Sequence, residues 1–229
     1  MADRTNGQAQ SDNNTQVPSD TANAGLGTTL LRVAWLAVLL GFIMEGVLLL
    51  LGAGLGDLFG LGSAAAGFIK NVSWSVFVCV GLAVGTAVSK ARVPAMGLSG
   101  LLAAPLAFEI SRALHKGTLE ALAVSGGGSN GASPVLIVVV KGLEYAALGM
   151  AIGWVGKRSW GGAAAHAGAG LAVGLAFGGT ILALTMGASP QPSLADLVTQ
   201  GVNEVLFPVG CSLVLFSAGA LGKRLGDQR

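Results

Sequence analysis

Six apolar runs of bilayer-spanning length recur along this chain, and they limit its fold more than any other feature. A transmembrane helix needs about 20 apolar residues. The runs lie at approximately 31–53, 71–89, 93–113, 135–156, 165–186 and 201–222. The sequence therefore predicts an all-α, polytopic integral membrane protein, built as a bundle of six transmembrane helices.

The composition supports this class and excludes others. Hydrophobic residues make up 52% of the chain and charged residues only 10%, whereas a soluble domain carries about 25% charged residues. An ordinary cytosolic enzyme, a nucleic-acid binder and a disordered protein are therefore excluded. The 37 glycines follow no collagen period and suit closely packed membrane helices. The lipid bilayer is the first expected partner.

Three segments outside the runs have distinct signatures. Residues 1–28 are polar and lack apolar periodicity, which predicts a disordered cytoplasmic tail before a transmembrane domain over 29–229. Residues 55–70 are moderately apolar but too short to span, so an interfacial or re-entrant segment is expected there. Ser193 and Asp196 have a capping-box-like spacing that predicts a helix start.

The basic residues are distributed unequally between the predicted loops. One side carries Arg4, Arg32, Lys90, Arg92, Lys157, Arg158, Lys223, Arg224 and Arg229. The opposite side carries only Lys70, Arg112 and Lys116. Cytoplasmic loops are enriched in Lys and Arg. Nine against three predicts that both termini are cytoplasmic, in a plasma membrane or a bacterial inner membrane.

A short pattern recurs where predicted helices end on the cytoplasmic side. Residues 153–158 and 219–224 both read GxxGKR, and 86–92 is a looser version. This repetition suggests three tandem two-helix units. The alternative is that small residues followed by basic ones end many inward-running helices.

Five ionisable residues fall inside the predicted spans, between the bilayer midplane and about 10 Å toward the outer surface. They are Glu45, Glu109, Lys141, Glu144 and Glu204. Each would cost about 2.5–3.5 kcal/mol near the bilayer centre on insertion scales. Such residues are hard to retain unless they face each other or water.

Local spacing links several of these residues. Lys141 and Glu144 are three apart, so they share a helix face and can pair. Pro208 lacks an N–H and therefore frees the carbonyl of Glu204, which has Asn203 beside it. The predicted substrate- or ion-binding residues are Glu144, Lys141, Glu204, Glu109, Glu45 and Asn203. The alternative is that Lys141 and Glu144 form a purely structural pair.

The leading functional prediction is a small multi-pass membrane protein that binds or translocates a small solute or ion through a polar site in the outer half of the bundle. The alternative is a non-catalytic membrane subunit, acting as a scaffold or assembly factor. In that case the glycine ladders would contact a membrane-protein partner; they are Gly81/Gly85, Gly149/Gly153 and Gly170/Gly174/Gly178.

Enzymatic chemistry is not expected. No hydrolase, zinc-protease or nucleotide-binding motif occurs in the sequence. Cys79 and Cys211 lie inside apolar runs, and neither histidine has a metal-ligand neighbour at suitable spacing. No catalytic residue and no metal site are predicted, and the sequence does not indicate a cofactor.

Overall fold

The computed structural model describes residues 17–56, 60–87, 91–124, 133–188 and 193–226, and within these ranges the chain is helical without any strand. Its helices are α1 (Val17–Gly54), α2 (Leu61–Gly85), α3 (Arg92–Ala121), α4 (Pro134–Val155), α5 (Ala163–Val173), α6 (Gly179–Ala188) and α7 (Leu194–Gly226). A π-helical turn over Gly174–Gly178 joins α5 to α6, so the three form one continuous helix.

Six helices in the described chain are long and apolar enough to cross a membrane. They are Gly25–Gly54, Leu61–Gly85, Arg92–Ala121, Pro134–Val155, Ala163–Ala188 and Leu194–Gly222. The predicted all-α class is confirmed, as is the predicted number of helices with the length and apolar composition that spanning requires. The suggested three tandem units remain a prediction.

Two helices begin earlier than predicted. Helix α1 starts at Val17 and overlaps the predicted tail over residues 17–28, while residues 1–16 lie outside the described chain. Pro18 in the first turn is compatible with this start, because an N–H there would have no helical partner. Helix α2 starts at Leu61, so residues 61–70 are part of a continuous helix long and apolar enough to span, instead of a separate interfacial or re-entrant segment.

The start of α7 matches its predicted cap. The backbone N–H of Asp196 donates to Oγ of Ser193 at 3.0 Å, and α7 begins at the next residue, Leu194. The serine thus satisfies one of the amide donors that have no partner at a helix N-terminus.

The spanning helices form a closed ring in which α1 packs on α2, α2 on α3, α3 on α4, α4 on α5, α5 on α7, and α7 on α1. At one end of the bundle, which we call the terminal end, Thr29 of α1, Thr86 after α2, Arg92 of α3 and Gly219 of α7 line a common small pocket. We call the opposite end the cavity end. The ends of α1 and α7 nearest the chain termini therefore lie at the same end of the bundle.

Glycines bring α2, α3 and α4 into close contact. A Cβ on Gly100 of α3 would collide with the carbonyl oxygen of Tyr145, and one on Gly149 of α4 would collide with that of Met96. A Cβ on Gly85 of α2 would likewise come within 2.6 Å of Cα of Met96. The backbones of the three helices therefore approach one another closely at these glycines. We call this the glycine seam.

The glycine ladder of the fifth span packs against α7. A Cβ on Gly170 would come within 2.6 Å of the carbonyl oxygen of Pro208, and one on Gly174 within 2.7 Å of that of Val205. Gly178 faces Cβ of Glu204 in the same way. This contact accounts for the ladder by packing inside the chain.

Two thiols meet in the core. The sulfur atoms of Cys79 on α2 and Cys211 on α7 are 3.2 Å apart, and both cysteines are free and buried. Nothing in the spacing of these residues predicts the contact, because it depends on how α2 and α7 are arranged in the ring.

Candidate functional site

A cavity of about 500 Å³ lies at the cavity end of the bundle. It is enclosed by the first half of α2, the second half of α3, the first half of α4, the end of α6 and the first half of α7. Its lining consists of Lys70, Asn71, Trp74, Phe108, Ser111, Arg112, His115, Ile137, Lys141, Ile181, Thr185, Gln200, Asn203, Glu204 and Phe207. Ten of these fifteen residues are polar or charged, and the other five are aromatic or aliphatic.

An ion triad forms the floor of this cavity. Nζ of Lys141 lies 2.9 Å from Oε2 of Glu144 and also bonds to Oε2 of Glu204. Lys141 and Glu204 are each 7% exposed and Glu144 is fully buried. The pair on α4 follows from its spacing of three residues, whereas Glu204 arrives from α7.

Two aromatic rings hold the lysine from the other side. Its Nζ lies 5.6 Å from the ring centroid of Trp74 and 5.9 Å from that of Tyr145. The two rings contact each other edge to face at 5.6 Å. A cation at this distance from a ring is attracted to the π face, so Lys141 is held by both charge and aromatic contact.

The triad contains two carboxyl groups and one ammonium group. If all three are ionised, the net charge is about −1 in a region of low dielectric. Oε1 of Glu144 is buried and has no hydrogen-bond partner within the described part of the chain. Uptake of one proton or one cation would neutralise the triad, which is the chemistry required of a coupling or binding site.

Glu45 lies next to the cavity instead of in the triad. Its Oε2 accepts a hydrogen bond of 2.5 Å from Nδ2 of Asn71, which itself lines the cavity. Any side chain at Gly67 would collide with the Glu45 carboxyl group. Because Gly67 has no side chain, α1 and α2 can lie close together there and still leave room for the buried carboxyl group of Glu45.

Of the two remaining predicted site residues, Asn203 belongs to the cavity and Glu109 does not. Asn203 lines the cavity beside Glu204, and its Oδ1 is buried without a hydrogen-bond partner among the described residues. Glu109 is exposed and does not line the cavity. It makes no ion pair with Arg112 in the part of the chain described here. Thus Lys141, Glu144, Glu204 and Asn203 meet, Glu45 is joined through Asn71, and Glu109 is separate.

Sequence reasoning missed several residues of the site. The predicted site lacks Trp74, Asn71, Ser111, His115 and Gln200, all of which line the cavity. A usable signal existed on α3, where Phe108, Ser111, Arg112 and His115 follow the spacing of one helix face. The residues on α2 lie at the edge of the predicted run, where their polarity resembled the end of a span.

The described residues do not assemble a metal site, since no group of three or more His, Cys, Asp or Glu side chains among them could hold an ion. Comparison of the chain with protein-family models, with curated proteins and with solved structures gives no match.

Proposed function

We propose that this chain spans a bilayer and binds or translocates a small solute or ion through the cavity, with the cavity end facing outward. The observation that carries the proposal is the Lys141–Glu144–Glu204 triad at the floor of a cavity of about 500 Å³. Small-molecule sites typically measure about 300–1,000 Å³.

The free-energy cost of burying ionisable residues and the position of the triad below the cavity together support a functional role for it. Ionisable residues inside membrane spans are rare and usually face a pathway or a binding site. Here three such residues from two helices converge below one cavity. A pair that served only to join helices would require no adjoining space, and a third ionisable residue beside it would add a further desolvation cost.

The orientation can be measured separately from the function. The nine-to-three distribution of basic residues supports an orientation with Lys116 outside and Arg158 inside. With Cys79 and Cys211 both replaced by alanine, Lys116→Cys should be labelled by an impermeant thiol reagent added to intact cells, and Arg158→Cys only after permeabilisation. Both positions are exposed in the structure. The reverse pattern would place the cavity end in the cytoplasm.

Translocation is tested in liposomes loaded separately with protons, potassium ions, chloride ions, an amino acid or an organic acid. We expect at least one of these solutes to cross faster with the protein than in empty liposomes. Thr185→Trp should abolish that flux because Thr185 lines the cavity, whereas Ala183→Trp, on the exposed face of the same helix, should not. If no solute crosses and none raises the melting temperature of the purified protein, the proposal is wrong.

A specific observation favours the scaffold alternative. Glu109 is exposed on a spanning helix, near Leu102 and Leu106, which are also exposed. A carboxyl group facing lipid is unfavourable, and a basic residue on a partner helix would relieve that cost. The alternative predicts that Glu109→Leu reduces the size of the complex extracted in mild detergent, while Glu204→Gln leaves it unchanged.

A further inference from the structure

The charged side chains that line the cavity are mainly cationic. Lys70, Arg112 and Lys141 line it, against the single carboxyl group of Glu204. The other two carboxyl groups lie behind the lining, where Asn71 covers Glu45 and Lys141 covers Glu144. Although the surrounding charges are balanced in number, a ligand inside the cavity meets three positive groups and one negative group.

The cations toward the mouth are available to a ligand. Neither Lys70 nor Arg112 forms an ion pair within 4 Å in the described parts of the chain, whereas Lys141 is occupied by the triad. His115 lines the same region, and its Nδ1 has no hydrogen-bond partner among the described residues. Together these groups offer charge and hydrogen bonding to an anion.

Five of the lining side chains are apolar, and two of these come from α4 and α6. The α5–α6 helix contacts α4 along α5 and at the π-helical turn, but the described residues of α4 and α6 hardly touch. Ile137 of α4 and Ile181 of α6 therefore line the cavity from opposite sides of a gap. Trp74, Phe108 and Phe207 complete the apolar lining. In a bilayer, this gap would face the hydrocarbon region.

We propose that the cavity binds an organic anion with an apolar body, supplied from the bilayer through the gap between α4 and α6. The phosphate or carboxylate group lies against Lys70, Arg112 and His115, and the apolar part occupies the aromatic region and the gap. This inference rests on the proposed function, because it names the ligand class of the same cavity. A phosphate-bearing lipid and a water-soluble organic phosphate share this chemistry, so the experiment must separate them.

The test uses the intact protein in phosphatidylcholine nanodiscs and two single-tryptophan forms. Trp74 lines the cavity and is 8% exposed, whereas Trp154 is 46% exposed and lies outside the cavity. The other three tryptophans are replaced by phenylalanine in each form. The probes are 11-bromoundecyl phosphate and 11-bromoundecyltrimethylammonium, since bromine quenches indole fluorescence only at short range.

Non-specific partitioning into the bilayer and binding in the cavity predict opposite orders of quenching for the two tryptophans. Non-specific partitioning quenches the more exposed Trp154 first, whereas binding in the cavity quenches Trp74 first. We expect the phosphate probe to quench Trp74 at lower concentration than Trp154, and the ammonium probe to show the reverse order. Quenching of Trp74 by both probes alike, or stronger quenching of Trp154 by the phosphate probe, would overturn the inference.

Charge variants and competitors complete the test. Arg112→Gln and Lys70→Gln should each raise the half-quenching concentration of the phosphate probe about ten-fold, as loss of a charged hydrogen bond does. Lys116→Gln is the matched control, because this exposed lysine of the same helix lies outside the cavity lining. Equal effects of all three would overturn the assignment of the head-group site.

The source of the ligand is decided by competition. Phenyl phosphate, which is water-soluble, should displace the probe poorly, and dodecyl phosphate should displace it well. Equal displacement would overturn the route from the bilayer. If quenching fails while solute flux in liposomes responds to Thr185→Trp as expected, the ligand class is wrong and the proposed function stands. If neither assay gives a signal, both proposals fall.

Discussion

The glycine seam and the cavity differ in how neighbouring helices meet. Along α2, α3 and α4, glycines at Gly85, Gly100 and Gly149 allow one backbone to approach the next closely. Around the cavity, the helices are separated by large or charged side chains, and α4 and α6 diverge. Small residues thus close one part of the ring, while bulky ones keep another part open. The difference indicates that the open side is a built feature of the packing and not a general looseness of the bundle.

The largest loss of stability is expected at the floor of the cavity, where Lys141 joins two carboxyl groups. Lys141→Met leaves two buried carboxyl groups without their cation, and breaking a buried ion pair costs about 3–5 kcal/mol. We expect the free energy of unfolding in detergent to fall by that order of magnitude. Lys141→Met combined with Glu144→Gln and Glu204→Gln should recover most of the loss. If the triple variant is as unstable as the single one, the destabilisation arises from lost packing and not from unpaired charge.

The glycine seam should be the next most sensitive region. Gly100→Ala places a Cβ against the carbonyl oxygen of Tyr145, and overpacking of this kind typically costs about 1–3 kcal/mol. Gly46→Ala is the matched control, because Gly46 lies in a spanning helix with open space around it. Thermal unfolding in detergent should show a lower melting temperature for the first variant only. Equal melting temperatures would mean that the backbones of α3 and α4 separate easily.

Asn71 tests the region where α1 and α2 join the cavity. Asn71→Leu removes the hydrogen bond to Glu45, and hydrogen bonds to charged groups contribute about 1.5–3 kcal/mol. We expect a loss near the lower end of this range, because the cavity gives water access to Glu45 once the amide is gone. Ser73→Ala serves as control, since its hydroxyl bonds only to the carbonyl of Lys70 in its own helix. An effect of Asn71→Leu no larger than that of the control would argue against a role for Glu45.

The smallest effect is expected at the start of α7. Ser193→Ala removes the side-chain cap of Asp196 N–H, which typically costs about 1 kcal/mol. Faster amide hydrogen exchange confined to the first turn of α7, with Lys141 and Glu204 still paired, would separate local capping from the stability of the cavity. Faster exchange that extends to Glu204 would show that the cap also holds the triad.

The sequence predicted those parts of the architecture that depend on one helix at a time. The six spans follow from the length of the apolar runs, and the Lys141–Glu144 pair follows from helical spacing. The addition of Glu204, the rings around Lys141 and the Cys79–Cys211 contact depend on the order of helices in the ring, which no local pattern contains. The predicted depth of Glu109 resembled that of the other acidic residues, yet its side chain is exposed on the outside of the helix bundle.

The start of α2 shows the same limit in a different form. The hydropathy of the chain falls at Lys70 and Asn71, which led to a predicted boundary at residue 71. Both side chains line the cavity, so a polar environment exists for them inside a continuous helix. The polar residues Lys70 and Asn71 therefore belong to the cavity lining, whereas the sequence pattern had indicated the end of a helix there.

The π-helical turn at Gly174–Gly178 acts as a one-residue offset in the phase of the fifth span. A π turn contains about one residue more than an α turn, and each residue turns a helix by about 100°. Everything after Gly178 is therefore rotated relative to α5, yet the helix stays against α7, since Gln200 of α7 donates a hydrogen bond of 3.0 Å to Oγ1 of Thr185. Thr185 also lines the cavity, so one helix packs on α7 through glycines before the turn and through a polar contact at the cavity after it.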